Sequence, residues 1–277
     1  MRVGADFAAG PPQGEICPLG GQRPAQWRSV GAGFAAGPPQ GEMRLLGGQR
    51  PAQRRSVGAL IFDMDGTMVD SMPWHERAWE EFARRRALDV DIPDLMRRTT
   101  GRTAFECACE LMGRTVSEAE AAQITHEKET LYRELFAAEF REVSGFRRFA
   151  RDAASRGLKI AIGTAGDRQN VAFTLDRLQM VPAPLAVVGG DEGLPGKPRP
   201  DIFLEVARRI GADPAHCIVF EDAPFGIEAA RRGGMHAVAV CSSHTAEALA
   251  GPHVLAAVRN FDELIHTNFL ETLDVVS

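Results

Sequence analysis

The segment that decides the fold is Leu60-Ile-Phe-Asp63-Met-Asp65-Gly-Thr67-Met-Val-Asp70-Ser71. Its apolar first residues predict a buried strand that ends at two carboxylates, one residue apart. Because alternate side chains of a strand share a face, Asp63 and Asp65 are expected to point the same way. Two carboxylates this close repel each other unless a cation or a proton lies between them. Paired acids at the carboxyl end of a strand, followed by Gly-Thr, therefore indicate a site for a divalent metal and a phosphoryl group.

The chain around this segment alternates between short apolar strands and amphipathic helices. Apolar runs bounded by turn residues predict strands at 59–63, 158–162, 185–188, 216–220 and 235–240, with helices at 145–156, 167–179, 201–210 and 224–232. Such alternation predicts an α/β fold, a Rossmann-like parallel sheet with helices on both faces. Ligands of such folds bind at the carboxyl ends of the strands.

The region directly after the first strand favours helices only. Helices are predicted at 73–87, 103–113 and 117–140, the last preceded by a capping box that begins at Ser117. Because the strand–helix alternation resumes afterwards, we predict an all-helical cap at 73–142. The core then comprises residues 58–72 and 143–277.

The first 57 residues differ in composition from the rest of the chain. Residues 7–32 and 34–59 repeat each other, with 22 of 26 aligned positions identical. Gly, Pro, Gln and Arg dominate this segment and apolar periodicity is absent, so residues 1–57 are predicted to be a disordered tail. The near-identity of the copies indicates a recent DNA duplication, and we interpret the segment as an upstream region translated from an early start codon. The alternative is an arginine-rich arm that binds nucleic acid or a partner.

Charge and composition narrow the classes of function. The chain has 277 residues and a net charge of -5. The tail carries seven arginines and three acids, so the remaining residues are net -9, which argues against nucleic acid as a partner of the folded part. The five cysteines fit no zinc-ligand spacing and indicate free thiols in a reducing compartment. No apolar run predicts a membrane span or a signal peptide, so we expect a cytoplasmic protein.

Three further polar motifs follow predicted strands or lie close to their ends. Thr164 lies between a strand and the helix that begins near residue 167, where a hydroxyl and backbone N–H groups can bind an anion. Lys197 lies in a Gly- and Pro-rich loop, where its charge would offset nearby carboxylates and a phosphate. Glu221 and Asp222 directly follow the strand predicted at 216–220 and supply the hard oxygen ligands that Mg²⁺ prefers.

These motifs together resemble those of the haloacid dehalogenase superfamily. The sequence DMDGTMVDS at 63–71 resembles its first motif, DxDGTxxDS, and Thr164 stands where the second motif has Ser or Thr. Lys197 in GKPRPDIF resembles the third motif, and the acidic pair at 221–222 resembles the fourth. The resemblance covers about residues 58–245 and is greatest with helical-cap, β-phosphoglucomutase-like members.

The resemblance implies a role for each motif residue. Asp63 would be the nucleophile that forms an aspartyl-phosphate, and Asp65 would be the general acid and base. Thr164, with the backbone of Ala165 and Gly166, would bind the transferring phosphoryl group.

The resemblance also implies a magnesium site. Mg²⁺ would be bound by the carboxylates of Asp63 and Asp222 and the backbone carbonyl of Asp65, with Glu221 acting directly or through water. Lys197 would neutralise the carboxylates and the phosphate together.

The cap carries three candidate substrate-binding residues. His75 lies twelve residues after Asp63, a spacing found in β-phosphoglucomutases and cap-bearing pyrophosphatases, and Lys128 resembles a mutase cap lysine. The position of the mutase arginine that binds a distal phosphate is Ala104 here, although Arg102 lies two residues earlier. We therefore expect a phosphatase acting on a small phosphorylated metabolite, most simply a sugar phosphate. The alternatives are a β-phosphoglucomutase and an inorganic pyrophosphatase.

Overall fold

The computed structural model describes residues 55–276, and its centre is a six-stranded parallel sheet in the order β4-β3-β2-β5-β6-β7. The strands are β1 (Arg55–Val57), β2 (Ala59–Phe62), β3 (Lys159–Gly163), β4 (Val187–Val188), β5 (Cys217–Glu221), β6 (His236–Val240), β7 (Val254–Val258) and β8 (Leu273–Val275). Strand β2 lies between β3 and β5, so its carboxyl end adjoins the ends of two other strands.

Helices cover both faces of the sheet, and others form a separate layer above its carboxyl end. They are α1 (Met72–Arg85), α2 (Ile92–Thr99), α3 (Ala104–Met112), α4 (Glu118–Ala137), α5 (Phe146–Ser155), α6 (Arg168–Leu178), α7 (Asp201–Arg209), α8 (Pro224–Arg232) and α9 (Phe261–His266). In the cap region α4 packs against α1 and α3. The side chain of Ser117 accepts a hydrogen bond from the Glu120 amide, as expected of a helix start.

The alternating side chains of β2 supply two hydrophobic cores. Leu60 and Phe62 belong to the core that contains the aromatic side chains of α5 and α9, and Phe62 stacks on Phe220 with ring centroids 4.6 Å apart. Ile61 points to the opposite face and packs with Phe203 of α7 and Ile227 of α8. Because both faces are buried, every residue of β2 is apolar, which confirms the predicted parallel sheet with helices on both faces.

The structure departs from the sequence predictions mainly at the chain ends. Residues 55–57, assigned to the tail, form β1, which pairs in parallel with β8 near the C-terminus. Strand β7 and helix α9 were not predicted, and β4 has two residues instead of the predicted four. The prediction of a disordered tail at 1–54 lies outside the described residues. Among the described residues no helix is long and apolar enough to cross a membrane.

Candidate active site

The carboxyl end of the sheet brings the motif residues together. Strand β2 ends at Phe62, one residue earlier than predicted, so Asp63 stands directly beyond the sheet. Phe62 is in register with Ile162 of β3 and Phe220 of β5. Thr164 follows β3 and Asp222 follows β5, so the side chains after three adjacent strands meet at one edge.

This edge is the floor of a cavity of about 890 Å³ between the sheet and the cap helices. Every residue that the sequence assigned to the site lines this cavity: Asp63, Asp65, His75, Arg102, Lys128, Thr164, Ala165, Gly166, Lys197, Glu221 and Asp222. Asp63 and Asp65 thus face the same space, although Asp65 lies in the turn after β2 and not in the strand.

Three buried carboxylates form a cluster on the cavity floor. Oxygen atoms of Asp63, Glu221 and Asp222 lie within 4.8 Å of one another. The ammonium of Lys197 lies between two of them, 2.5 Å from Asp63 Oδ1 and 2.6 Å from Glu221 Oε1. One lysine therefore faces three carboxylates, and Lys197 is itself only 2% exposed.

The electrostatics of the cluster show an excess of negative charge. Burial raises the pKa of Asp63 to about 8, and the neighbouring charge of Glu221 adds to this effect while Lys197 opposes it. Burial and the charges of Glu221 and Asp63 also raise the pKa of Asp222 well above its ordinary value. Burial alone would lower the pKa of Lys197, but the two carboxylates beside it raise it. Hard, crowded oxygen ligands with unbalanced charge fit a divalent cation such as Mg²⁺.

Hydrogen bonds and the close approach of helix α8 hold these carboxylates in place. Glu221 Oε2 accepts a hydrogen bond from the Ala223 amide at 2.9 Å, and Asp222 accepts from the hydroxyls of Ser243 and Thr67. A Cβ at Gly226 would lie 1.8 Å from Glu221 Oε1, so only glycine lets helix α8 begin this close to the carboxylate.

Asp65 is held by the cap side of the cavity. Its Oδ1 accepts hydrogen bonds from Ser71 Oγ at 2.7 Å and Tyr132 Oη at 3.1 Å. His75 Nε2 lies 3.1 Å from the same oxygen, at an angle that falls short of a hydrogen bond. Burial alone would raise the pKa of Asp65, but His75 and the two hydroxyls lower it to about 2.

The tautomer of His75 follows from its other neighbour. Lys128 Nζ lies 2.6 Å from His75 Nδ1, and an ammonium group can only donate. Nδ1 must therefore accept, and the ring proton lies on Nε2, the nitrogen beside Asp65. The imidazole also stacks on the Tyr132 ring with centroids 3.7 Å apart. Lys128, which is 3% exposed, is thus a buried site residue and not a solvated charge.

The turn after β3 has the form expected of an anion site. Thr164 is buried, and its Oγ1 accepts a hydrogen bond from the Gly166 amide at 3.0 Å. The Gly166 N–H is thus used within the turn, while the hydroxyl proton of Thr164 is left to donate. Ala165 lines the cavity between them, and α6 begins two residues after Gly166.

Arg102 occupies the cap side of the cavity but is already paired. Its guanidinium lies 3.1 Å from Glu110 and 3.3 Å from Glu106. The adjoining Gly101 lies against the Lys197 loop, since a Cβ there would be 3.5 Å from Lys197 Cδ. The cap region therefore contacts the core at this loop.

Several residues that contact the site were not singled out from the sequence. Ser71 belongs to the quoted motif, and Tyr132 lies four residues after Lys128, on the same face of α4, so both carried a local signal. Glu129, Asn170 and Ser243 carried none, because their contacts join segments 21 to 41 residues apart.

Comparison with known proteins gives the class of this site. A family model for haloacid dehalogenase-like hydrolases matches residues 57–234, more than half of the chain. The chain therefore belongs to the haloacid dehalogenase-like hydrolase family, and it is an enzyme. The resemblance inferred from the sequence motifs is confirmed.

Two of the relatives are named as enzymes that act on sugar phosphates. The chain is 33% identical over 181 residues to a fructose-1-phosphate phosphatase of Escherichia coli, covering 65% of this chain and 95% of the relative. It is 31% identical over 192 residues to a β-phosphoglucomutase of Bacillus subtilis, covering 66% and 82%. A solved β-phosphoglucomutase of Clostridium difficile matches with a TM-score of 0.68 and 25% identity, over 78% of this chain and 96% of that one.

Proposed function

We propose that this enzyme is a Mg²⁺-dependent phosphohydrolase that releases phosphate from a small sugar or polyol monophosphate. The observation that carries the proposal is the buried cluster of Asp63, Glu221 and Asp222 around Lys197, beside the separately held carboxylate of Asp65. A nucleophile, a cation site and an acid–base group thus share one cavity. The relatives named as sugar-phosphate phosphatases and mutases support this reaction class.

Asp63 is the nucleophile in this mechanism. Its carboxylate attacks phosphorus in line with the ester oxygen, a P–O bond to Asp63 forms, and the bond to the sugar oxygen breaks. Lys197, held against Asp63, offsets the repulsion between this carboxylate and the phosphate. Thr164 donates a hydrogen bond from its hydroxyl group to a phosphoryl oxygen. Mg²⁺ held by Asp63, Glu221 and Asp222 would supply further positive charge to the phosphoryl oxygens.

Asp65 is the general acid and then the general base. It gives a proton to the departing sugar oxygen and later takes one from the water that cleaves the aspartyl-phosphate. In the free enzyme the pKa of Asp65 is about 2, so its carboxyl group is ionised at neutral pH, as a general base must be. A phosphate bound beside it adds negative charge and raises that pKa, which is the direction that a general acid requires.

The charge of the cavity favours a substrate with one phosphate. Eight carboxylates and four lysine or arginine side chains line the cavity. Lys197, Lys128 and Arg102 each have carboxylate partners within 3.3 Å, and Arg168 is exposed at the start of α6. Two of the carboxylates, Glu118 and Glu129, come from the cap, and both cap cations in the lining, Arg102 and Lys128, are already paired, so a second phosphate on the cap side would find no unpaired lysine or arginine among these lining residues. A phosphomonoesterase is therefore favoured, and the mutase relatives make phosphoglucomutase the second candidate.

The cysteines support the proposed cellular location. The described cysteines at 107, 109, 217 and 241 are all free, which supports the proposal of a reducing, cytoplasmic location. A small phosphorylated metabolite is the proposed partner, and no nucleic acid is required.

The test is phosphorus NMR of the purified enzyme with Mg²⁺ and separate samples of fructose 1-phosphate, β-glucose 1-phosphate and pyrophosphate. The glucose sample also receives a trace of glucose 1,6-bisphosphate. We expect inorganic phosphate from a sugar phosphate, and none from the Asp63→Asn variant. Conversion of β-glucose 1-phosphate into glucose 6-phosphate without free phosphate would establish the mutase instead, and cleavage of pyrophosphate alone a pyrophosphatase.

A further inference from the structure

Asn170 joins the phosphate-binding turn of the core to the cap. It is 1% exposed and lies in the first turn of α6, where its amide N–H donates to the side chain of the capping residue Asp167 at 2.8 Å. This contact fixes the backbone of Asn170 at the start of α6, directly after the turn that carries Thr164 and Gly166.

Both ends of the Asn170 side-chain amide contact cap helix α4. Its Nδ2 donates to Glu129 Oε2 at 2.7 Å, and its Oδ1 accepts from Arg133 Nη1 at 2.8 Å. A carboxylate can only accept and a guanidinium can only donate, so the amide has a single satisfactory orientation.

Glu129 carries this contact onward to the acid–base residue. Its second oxygen accepts from Lys128 Nζ at 2.9 Å, and the same ammonium donates to His75 Nδ1 at 2.6 Å. The other imidazole nitrogen lies 3.1 Å from Asp65. A continuous series of polar contacts thus leads from α6 through two cap helices and back to Asp65.

We propose that Asn170 and Glu129 are positioning residues that fasten α4 to α6 and so hold Lys128 and His75 against Asp65. The proposal rests on the acid–base role of Asp65 in the proposed function. Without the Glu129 side chain the buried ammonium of Lys128 loses an acceptor oxygen on α4. Without Asn170 the side chain of Glu129 is free to turn away. The pair links binding of the phosphate, next to α6, to the orientation of the group that handles the proton.

The pair can be tested by exchanging its donor and acceptor. Asn170→Asp sets two carboxylates against each other, and Glu129→Gln sets two NH₂ groups against each other. In the double variant the glutamine at position 129 donates to the aspartate at position 170 and still accepts from Lys128, and Arg133 keeps its acceptor. We expect each single variant to lower kcat/KM for the sugar phosphate about 10- to 100-fold, as for loss of a hydrogen bond to a charged group, and the double variant to recover most of the loss.

A second substrate separates positioning from general damage. p-Nitrophenyl phosphate has a leaving group that departs without a proton, so its kcat/KM depends little on the general acid. We expect the single variants to stay within about threefold of the wild type on this substrate. Asn260→Asp, the same change at the capping residue of α9, is the control and should leave kcat/KM for both substrates unchanged.

Melting temperatures of the same proteins provide an independent readout, with lower values for the single variants and recovery in the double. An equal loss on both substrates, or no recovery of kcat/KM and melting temperature in the double variant, would overturn the proposal. Direct contact of Glu129 with substrate would also appear as absence of recovery. If the wild type releases no phosphate, the proposed function fails, and the melting temperatures alone decide whether the pair fastens the cap.

Discussion

Replacing Lys197 by Met tests the charge balance of the site. The substitution keeps an unbranched apolar side chain of similar length beside Phe203, whose ring lies 4.8 Å from the ammonium, and removes only the charge. The cluster then holds three carboxylates with no lysine among them. Removing one partner of a buried ion pair costs about 3–5 kcal/mol. For a folded part of this size, that corresponds to a fall in melting temperature of roughly 6–20 °C.

The pH and metal dependence of this loss follow from the same cluster. The folded-state pKa of Asp63 is raised from 3.8 to about 8, so the folded protein binds more protons than the unfolded chain within that window. The contribution of Asp63 to the free energy of unfolding therefore falls as pH rises from about 4 to 8. We expect Lys197→Met to be most destabilising at the upper end of this window. Added Mg²⁺ should raise the melting temperature of the variant more than that of the wild type.

Thermal unfolding followed by circular dichroism, with excess EDTA or saturating Mg²⁺, measures these effects. Lys159→Met is the matched control, because the Lys159 ammonium donates to two backbone carbonyls, those of Ile210 and Gly211, and has no ion pair among the described residues. It should cost about 1 kcal/mol and respond no differently to Mg²⁺. Melting of Lys197→Met at the wild-type temperature in EDTA, or an equal loss of stability in both lysine variants, would contradict this prediction.

Three other predictions concern the acid–base group, the metal and the chain start. Asp65→Asn should lower kcat/KM for a sugar phosphate by about 10²–10⁴-fold and also lower the melting temperature, because His75, Ser71 and Tyr132 stabilise the ionised carboxylate; retained activity would exclude its acid–base role. Mg²⁺ at a hundredfold excess over its dissociation constant should stabilise the wild type by about 2.7 kcal/mol; Asp222→Asn should largely abolish this shift, and an undiminished shift would place the metal elsewhere. A chain starting at Arg55 should keep full activity, whereas one starting at Gly58 loses β1 and the buried Val57 and should be less stable by about 1.5–3 kcal/mol; equal stability would show that β1 contributes nothing.

The sequence predicted the floor of the site because parallel strands place their ends together. Asp63, Thr164 and Asp222 each follow a strand, and β3-β2-β5 are neighbours in the sheet. Local pattern was therefore enough to expect these residues at one edge. The roles assigned to them from family resemblance remain predictions.

The parts that the sequence did not predict depend on contacts between distant segments. Val57 is buried because β1 pairs with β8, and no local pattern distinguishes this strand from the duplicated tail before it. Glu129 and Asn170 lie 41 residues apart, and the packing of α4 against α6 brings them together. Arg102 was expected to face substrate, and its pairing with Glu106 and Glu110 becomes visible only once α3 is in place.

Covalent catalysis by Asp63 is tested by mass spectrometry of the enzyme after acid quenching during turnover of a sugar phosphate with Mg²⁺. Protease digestion and fragmentation of the peptide around residues 60–71 then locate any added phosphoryl group. We predict one phosphoryl group on Asp63, absent without substrate and absent in Asp63→Asn. Phosphate release with Asp63 unmodified, and undiminished in Asp63→Asn, would contradict it.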